Sequence, residues 1–128
     1  MIYKRNNAGW DKTQVLTYKN EPGTWMNVTR QLLMPHSTTG FEVRYFEIDS
    51  GGYTSHEKHD HEHCVIVLEG TGEVYVNGQW QIVNRGDAIH IPSQEPHQFR
   101  NLQVEKFGIL CIVNRERDRP ELLGPMPE

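Results

Sequence analysis

Four of the seven histidines fall within residues 56 to 63, in the stretch HEKHDHEHCVIVLEG (56–70), and that stretch runs directly into an apolar strand pattern. Imidazoles and carboxylates gathered ahead of a buried segment point to a first-row metal centre, because neutral imidazole is the commonest protein ligand for such ions. In extended chain, side chains alternate between two faces. Glu57, His59, His61 and His63 then share the face of Val65 and Val67, while His56, Lys58, Asp60 and Glu62 take the other. The zinc-peptidase pattern HExxH is excluded, since Asp60 follows His56 at that spacing and Val65 follows His61. One short stretch can therefore supply three ligands. A fourth must come from elsewhere, and His97 in GDAIHIPSQEPHQFRN (86–101) is the candidate. His36 and His90 have no such company and read as ordinary histidines.

The elements that must position these groups read as strands. No dozen residues carry a 3.6-residue apolar stripe. Short β-rich runs recur instead, around 25–34 and at 41–48, 64–68, 73–76, 80–83, 87–91, 97–100 and 106–113. Asp49-Ser50-Gly51-Gly52 is read as a break, Asn77-Gly78 as a tight hairpin, and Arg85-Gly86-Asp87 and Pro92 to Pro96 as turns. Many short strands at this spacing imply a sandwich or barrel. In CVIVL (64–68) and FGILCIV (107–113) both faces are apolar, so both need cover, and a second copy of the chain is the expected source. The charged, proline-bearing segment 114–128 is expected to be a surface tail or disordered.

The chain has 128 residues and 36% hydrophobic content, the size of one domain with one core. Its net charge of −4, with both signs mixed, gives no basic face for nucleic acid. No apolar run in the first twenty residues suggests a leader or membrane anchor. Two widely spaced cysteines, Cys64 and Cys111, argue against a disulfide scaffold and for a cytoplasmic setting.

The pattern resembles the cupin superfamily. Its first motif lies over Gly52 to Gly70 and its second, G-x5-P-x-G-x2-H-x3-N, over Gly86 to Asn101, where Gly86, Pro92, His97 and Asn101 match and Gln94 stands in the glycine's place. The first motif departs from the usual order. His63 stands where a glutamate is usual, His59 at the second histidine, and Glu57 at the first. Small cupins with four-histidine manganese sites are similar here, with a double glycine, HxH, then EH before the strand. The resemblance implies an all-β fold, an antiparallel double-stranded β-helix (jelly-roll) barrel. The whole chain, 1–128, would be one domain, with the motif-bearing barrel over about 40–113, N-terminal strands and an arm over 1–39, and the tail over 114–128. It also implies metal ligands Glu57, His59, His63 and His97, with His56 and His61 as rivals of Glu57.

One divalent transition metal per subunit is expected: Mn, Fe, Ni, Co, Cu or Zn. The expected partners are a small-molecule substrate and a second copy in a homodimer, with neither nucleic acid nor membrane. Metal-dependent oxidation or cleavage with dioxygen, of dioxygenase type, is the leading expectation. Glu57 would then be ligand and proton acceptor, Phe99 an apolar wall of the pocket or plain core, and Arg44 either a substrate anchor or a surface residue on an edge strand. An isomerase or epimerase and a non-catalytic binder are the rival classes. Cys111 is expected to be buried and is given no catalytic role, and Glu69 and Glu73 are read as solvated turn charges.

Overall fold

Valine, isoleucine, phenylalanine and tyrosine in short runs between glycine, asparagine and proline favour extended chain. The computed structural model describes residues 1–6, 9–19 and 21–128, and none of these is helical. Thirteen strands follow in order: β1 (Arg5–Asn6), β2 (Gly9–Trp10), β3 (Leu16–Thr17), β4 (Met26–Leu33), β5 (Phe41–Tyr53), β6 (Glu57–Lys58), β7 (His63–Glu69), β8 (Thr71–Val76), β9 (Gln79–Asn84), β10 (Ala88–Ile91), β11 (Gln98–Arg100), β12 (Phe107–Asn114) and β13 (Glu121–Leu122). Nine of them form one antiparallel sheet, ordered β10-β7-β12-β5-β11-β8-β9, with β4 also on β5 and β3 on β4. The sheet curls into the expected all-β jelly-roll barrel.

Alternation along the strands places the core. Phe46 and Ile48 of β5, Val65 and Val67 of β7, and Ile109, Cys111 and Val113 of β12 all turn inward and are buried. Each large apolar side chain so buried contributes roughly 1.5–3 kcal/mol. On the outer face Tyr45 is fully buried, and the N-terminal segment packs there, with the Trp10 ring 6.1 Å from that of Tyr45. Ile66, Leu68, Leu110, Ile112 and Val43, also on that face, are only half-buried.

The Asn77-Gly78 turn has φ of 55° and 78°, the left-handed pair a type I′ hairpin requires, and joins β8 to β9 with Val76 opposite Gln79. The break expected at Asp49 to Gly52 is not one. β5 runs through it to Tyr53, because Gly51 N–H donates to Asn101 O and Asn101 N–H to Gly52 O, each at 2.9 Å. Gly51 takes a left-handed φ of 79°, so the strand bulges here, with a register shift against β4 between Met26 and Val28. Pairing with the second motif holds that bulge in the sheet. The short strands β1, β2, β3, β6 and β13 have only two residues each, too few to carry a period. Segment 114–128 lies on the surface and is tied down as a strap. Glu121 and Leu122 pair with Lys58 and Glu57, Leu123 N–H donates to His56 O at 2.9 Å, and Trp80 Nε1–H to Pro127 O at 2.9 Å.

Candidate metal centre

Two backbone features bring the motifs together. Glu57 and His97 form an antiparallel bridge, Glu57 N–H to His97 O at 3.0 Å and His97 N–H to Glu57 O at 2.9 Å. Gln94 N–H donates to His59 O at 2.7 Å, and the Gln94 side-chain amide donates to Asp60. Gln94 has φ of 62°, a conformation that favours glycine and costs a side chain about 1 kcal/mol or more. Its two hydrogen bonds to the ligand loop offset that cost. Asn101, fully buried, donates through Nδ2 to Ile48 O at 2.9 Å and Glu105 O at 2.8 Å, closing the loop behind β11.

The alternation expected for residues 57 to 67 is present: Glu57, His59, His61, Val65 and Val67 are buried and His63 is half-buried, while Asp60 and Glu62 are exposed. Ligand nitrogens of His59, His63 and His97 lie within 4.8 Å of one another. His59 Nδ1 lies 2.6 Å from His61 O, and His97 Nδ1 lies 2.8 Å from Glu95 O. A carbonyl only accepts, so both Nδ1 atoms carry the proton and both Nε2 atoms present a lone pair. This is the orientation by outer hydrogen bonds typical of ligating histidines. His59 Nε2 and His63 Nε2 are 2.9 Å apart. Two imidazoles at adjacent positions, each about 2.1 Å from one ion, would stand about 3 Å apart. The donor set fits a divalent first-row metal.

Electrostatics keep the imidazoles in the ligand form. Burial pushes the His63 pKa down to about 2 and that of His97 down to about 4, with nearby imidazoles adding to both. Burial lowers His59 as well, against the opposing hydrogen bond to His61 O. Glu57 is buried, accepts a hydrogen bond from Ser55 Oγ, and places Oε2 3.9 Å from His59 Nε2. It stands beside the three-imidazole group, nearest to His59. His61 is also inside, stacked on His59 with centroids 3.7 Å apart and planes 4° from parallel. Its Nδ1 is bound to Asp118 Oδ1 at 2.8 Å. His56 turns away, its Nδ1 3.1 Å from Pro125 O. His36 is exposed, and His90 pairs with Glu62 at the surface at 2.6 Å.

The centre opens into a cavity of about 370 Å³ lined by Phe46, Val65, Phe99 and Ile109 among its apolar residues. Arg44 is 6% exposed, lines this cavity and lies on β5 between β4 and β12, so the reading of a surface arginine on an edge strand is overturned. Cys111 is buried, its Sγ 2.9 Å from His63 Nδ1 and 3.5 Å from Arg44 Nη2. Burial raises its thiol pKa against the pull of Arg44. Glu69 and Glu73 are more than solvated charges: they pair with Arg5 at 2.5 Å and Arg100 at 3.2 Å. Sequence reasoning missed Asp118. Its Oδ2 accepts from Asp60 N–H at 2.8 Å and its Oδ1 from His61 N–H at 3.0 Å. Those bonds, Asp60's foremost, hold its carboxyl far below the usual carboxylate range. It also missed Arg115, Arg117 and Arg119, which line the same cavity. Their period-two spacing in RERDR was the available signal.

Comparison with known proteins places this geometry. Residues 44–113 match the Cupin domain family. A 1-methylthio-D-xylulose 5-phosphate methylsulfurylase of Rhodospirillum rubrum is 40% identical over 114 residues, covering 88% of this chain and 73% of that protein. A cupin 2 conserved barrel domain protein from Rhodopseudomonas palustris superposes with a TM-score of 0.88 at 37% identity, over 95% of this chain and 86% of that one. The polyketide cyclase RemF from Streptomyces resistomycificus superposes with a TM-score of 0.81 at 26% identity, over 96% and 86% of the two chains. With the barrel, both motifs and these matches in agreement, the chain belongs to the cupin family.

Proposed function

We propose that the chain is a divalent-metal enzyme acting at the carbonyl end of a small keto compound, moving a proton on the carbon beside that carbonyl. The observation that carries this reading is the convergence of three neutral imidazoles beside a buried carboxylate at the wall of the cavity. A bound divalent ion supplies Lewis-acid polarisation of a carbonyl oxygen. His59, His63 and His97 hold that ion, and Glu57 completes its shell or accepts a substrate proton at Oε2. Ser55 Oγ–H, donating to Glu57 Oε1, fixes which oxygen is free. Phe99, Val65 and Ile109 exclude water and strengthen the electrostatics of the site. The activity named for the R. rubrum relative supports a keto substrate, since a xylulose carries its carbonyl at the second carbon.

The expectation of an oxygen-dependent oxidation is retained as a second reading, favoured by the apolar wall of Phe46, Phe99, Val65 and Ile109, which suits dioxygen. One experiment separates them. Metal-loaded protein in D2O with D-xylulose 5-phosphate should incorporate deuterium beside the carbonyl, followed by NMR, with no oxygen consumed at an electrode. Oxygen uptake without exchange would transfer the proposal to the oxidative reading, and binding with neither would favour a non-catalytic cupin.

The same reading includes a homodimer and a cytoplasmic setting. Val43, Ile66, Leu68, Leu110 and Ile112 leave a half-buried apolar strip on the outer face of β5, β12 and β7, and covering such a strip is what a second copy would contribute. Light scattering at micromolar concentration should give twice the mass of one chain. A single-chain mass would refute it. Among the described residues no helix is long and apolar enough to cross a membrane.

A further inference from the structure

The cavity differs in charge from the molecule around it. Lys19, Arg44, Arg115, Arg117 and Arg119 line it, against the three carboxylates of Glu42, Glu57 and Asp118. That is an excess of two positive charges in a chain of net charge −4. Those carboxylates are already engaged. Glu42 accepts from Arg117 Nη1, Glu57 from Ser55, and Asp118 from two backbone N–H groups and the His61 ring.

The arginines are not fully engaged. Arg44 is buried with its guanidinium 5.1 Å over the Phe46 ring, and its Nε has no hydrogen-bond partner. A buried guanidinium nitrogen left unpaired is costly and marks a place for an acceptor. The hydrogen bonds of Arg117 all run through Nη1. Arg115 uses Nε and Nη2 on the carbonyls of Thr39 and Phe41. Arg119 is exposed at the rim and has no ion pair among the described residues.

We propose that Arg44, Arg117 and Arg119 form a binding site for the phosphate group of a small sugar phosphate, held while the carbonyl faces the three imidazoles. Planar guanidinium forks match tetrahedral oxyanions in pairs of parallel hydrogen bonds. A phosphate monoester carries about −1.5 to −2 charges at neutral pH, which the positive lining of the cavity attracts. A cavity of about 370 Å³ lies within the usual size range for small-ligand pockets. Residues 114–123, which lie outside the two cupin motifs, would thus read the substrate's anion. The proposal rests on the reading of a keto substrate given above and names its class.

Calorimetric titration of the metal-loaded protein with D-xylulose 5-phosphate, D-xylulose and inorganic phosphate tests it. The 5-phosphate should bind at least about a hundredfold more tightly than xylulose, and inorganic phosphate should compete with it. Arg119→Gln should weaken 5-phosphate binding by roughly tenfold, as expected for loss of one charge-assisted contact at a partly solvated rim. Binding of xylulose and metal content should be unchanged, and Arg119→Lys should recover part of the loss. Arg44→Gln should weaken the 5-phosphate further. Equal affinity for the sugar and its phosphate, or no effect from either glutamine variant, overturns the site. Phosphate-dependent binding without deuterium exchange supports the site while counting against the proposed reaction. Exchange that proceeds equally well with unphosphorylated xylulose overturns the site and leaves the reaction standing.

Discussion

Replacing His59, His63 or His97 by alanine is expected to lower metal affinity by more than about a hundredfold, since even the outer hydrogen-bond partners of metal ligands are worth roughly 10–100-fold. Each substitution removes one of the nitrogens that lie within 4.8 Å of one another. It also leaves a gap among buried residues, so circular dichroism must accompany elemental analysis to separate metal loss from unfolding. His36→Ala and His90→Ala should keep full occupancy, being exposed and away from the cluster. Glu57 should behave differently, because it stands at the edge of the group. Glu57→His should retain metal and Glu57→Ala should weaken binding to a smaller extent than loss of any imidazole. Full occupancy in the His97→Ala protein would sink the two-motif centre, and unchanged affinity in Glu57→Ala would move attention to His61.

The second large effect is on stability. In the folded chain without metal, burial holds His63 at about 2 and His97 at about 4, whereas in the unfolded chain both should titrate near 6.5. Below about pH 6.5 the unfolded state therefore binds more protons than the folded one. Stability from these groups is fully present above that pH and is lost as pH falls towards the folded values. One unit below 6.5 the loss is about 1.4 kcal/mol per imidazole, or about 3 kcal/mol for the pair, with His59 shifted in the same direction. Metal adds a further stabilisation that depends on the same neutral imidazoles and fades over the same range. Thermal melts with and without chelator should show a wide gap at pH 8 and a narrow one at pH 5.5, with both forms melting lower at pH 5.5. The apolar strands fold without the ion, so chelation should lower the melting temperature and leave the barrel formed. Coincident curves with and without chelator at pH 8 would mean that the cluster holds no metal in solution.

Much of this arrangement was legible because strand alternation is a strict two-residue code. The inward set of Glu57, His59, His61 and His63 follows from counting back from Val65. The choice among them and the register of His97 come from the resemblance to the two cupin motifs. Asn77-Gly78 declared its hairpin through the two left-handed residues the turn needs. What was not legible depends on partners far away in sequence. The glycines at 51 and 52 read as a break, because nothing local says that Asn101 will pair with them. Asp118 and Arg119 read as a solvated tail, since only the pairing of β13 with β6, across more than sixty residues, carries them to the cavity. His61 has the right parity for a ligand. Only the folded chain shows its ring stacked on His59 and tied to the distant Asp118 carboxylate, apart from the three grouped imidazoles.

The position of β12 between β5 and β7 sets an order of events during synthesis. The ligand-bearing stretch 57–63 emerges early, yet the strand that joins its neighbours into one sheet spans Phe107–Asn114. Until β12 is available, β5 and β7 each expose an unpaired edge beside a loose group of imidazoles and a carboxylate. Folds built from such distant pairings close slowly, in milliseconds to seconds. An ion captured in that interval would be selected by the solution affinities of a flexible peptide, which follow the general preference for copper over zinc, nickel, cobalt, iron and manganese. The barrel's own geometry can choose only after closure. Identity of the resident metal would therefore depend on whether loading comes before or after the last central strand is laid down, so expression conditions become a determinant of the isolated protein's metal alongside its sequence.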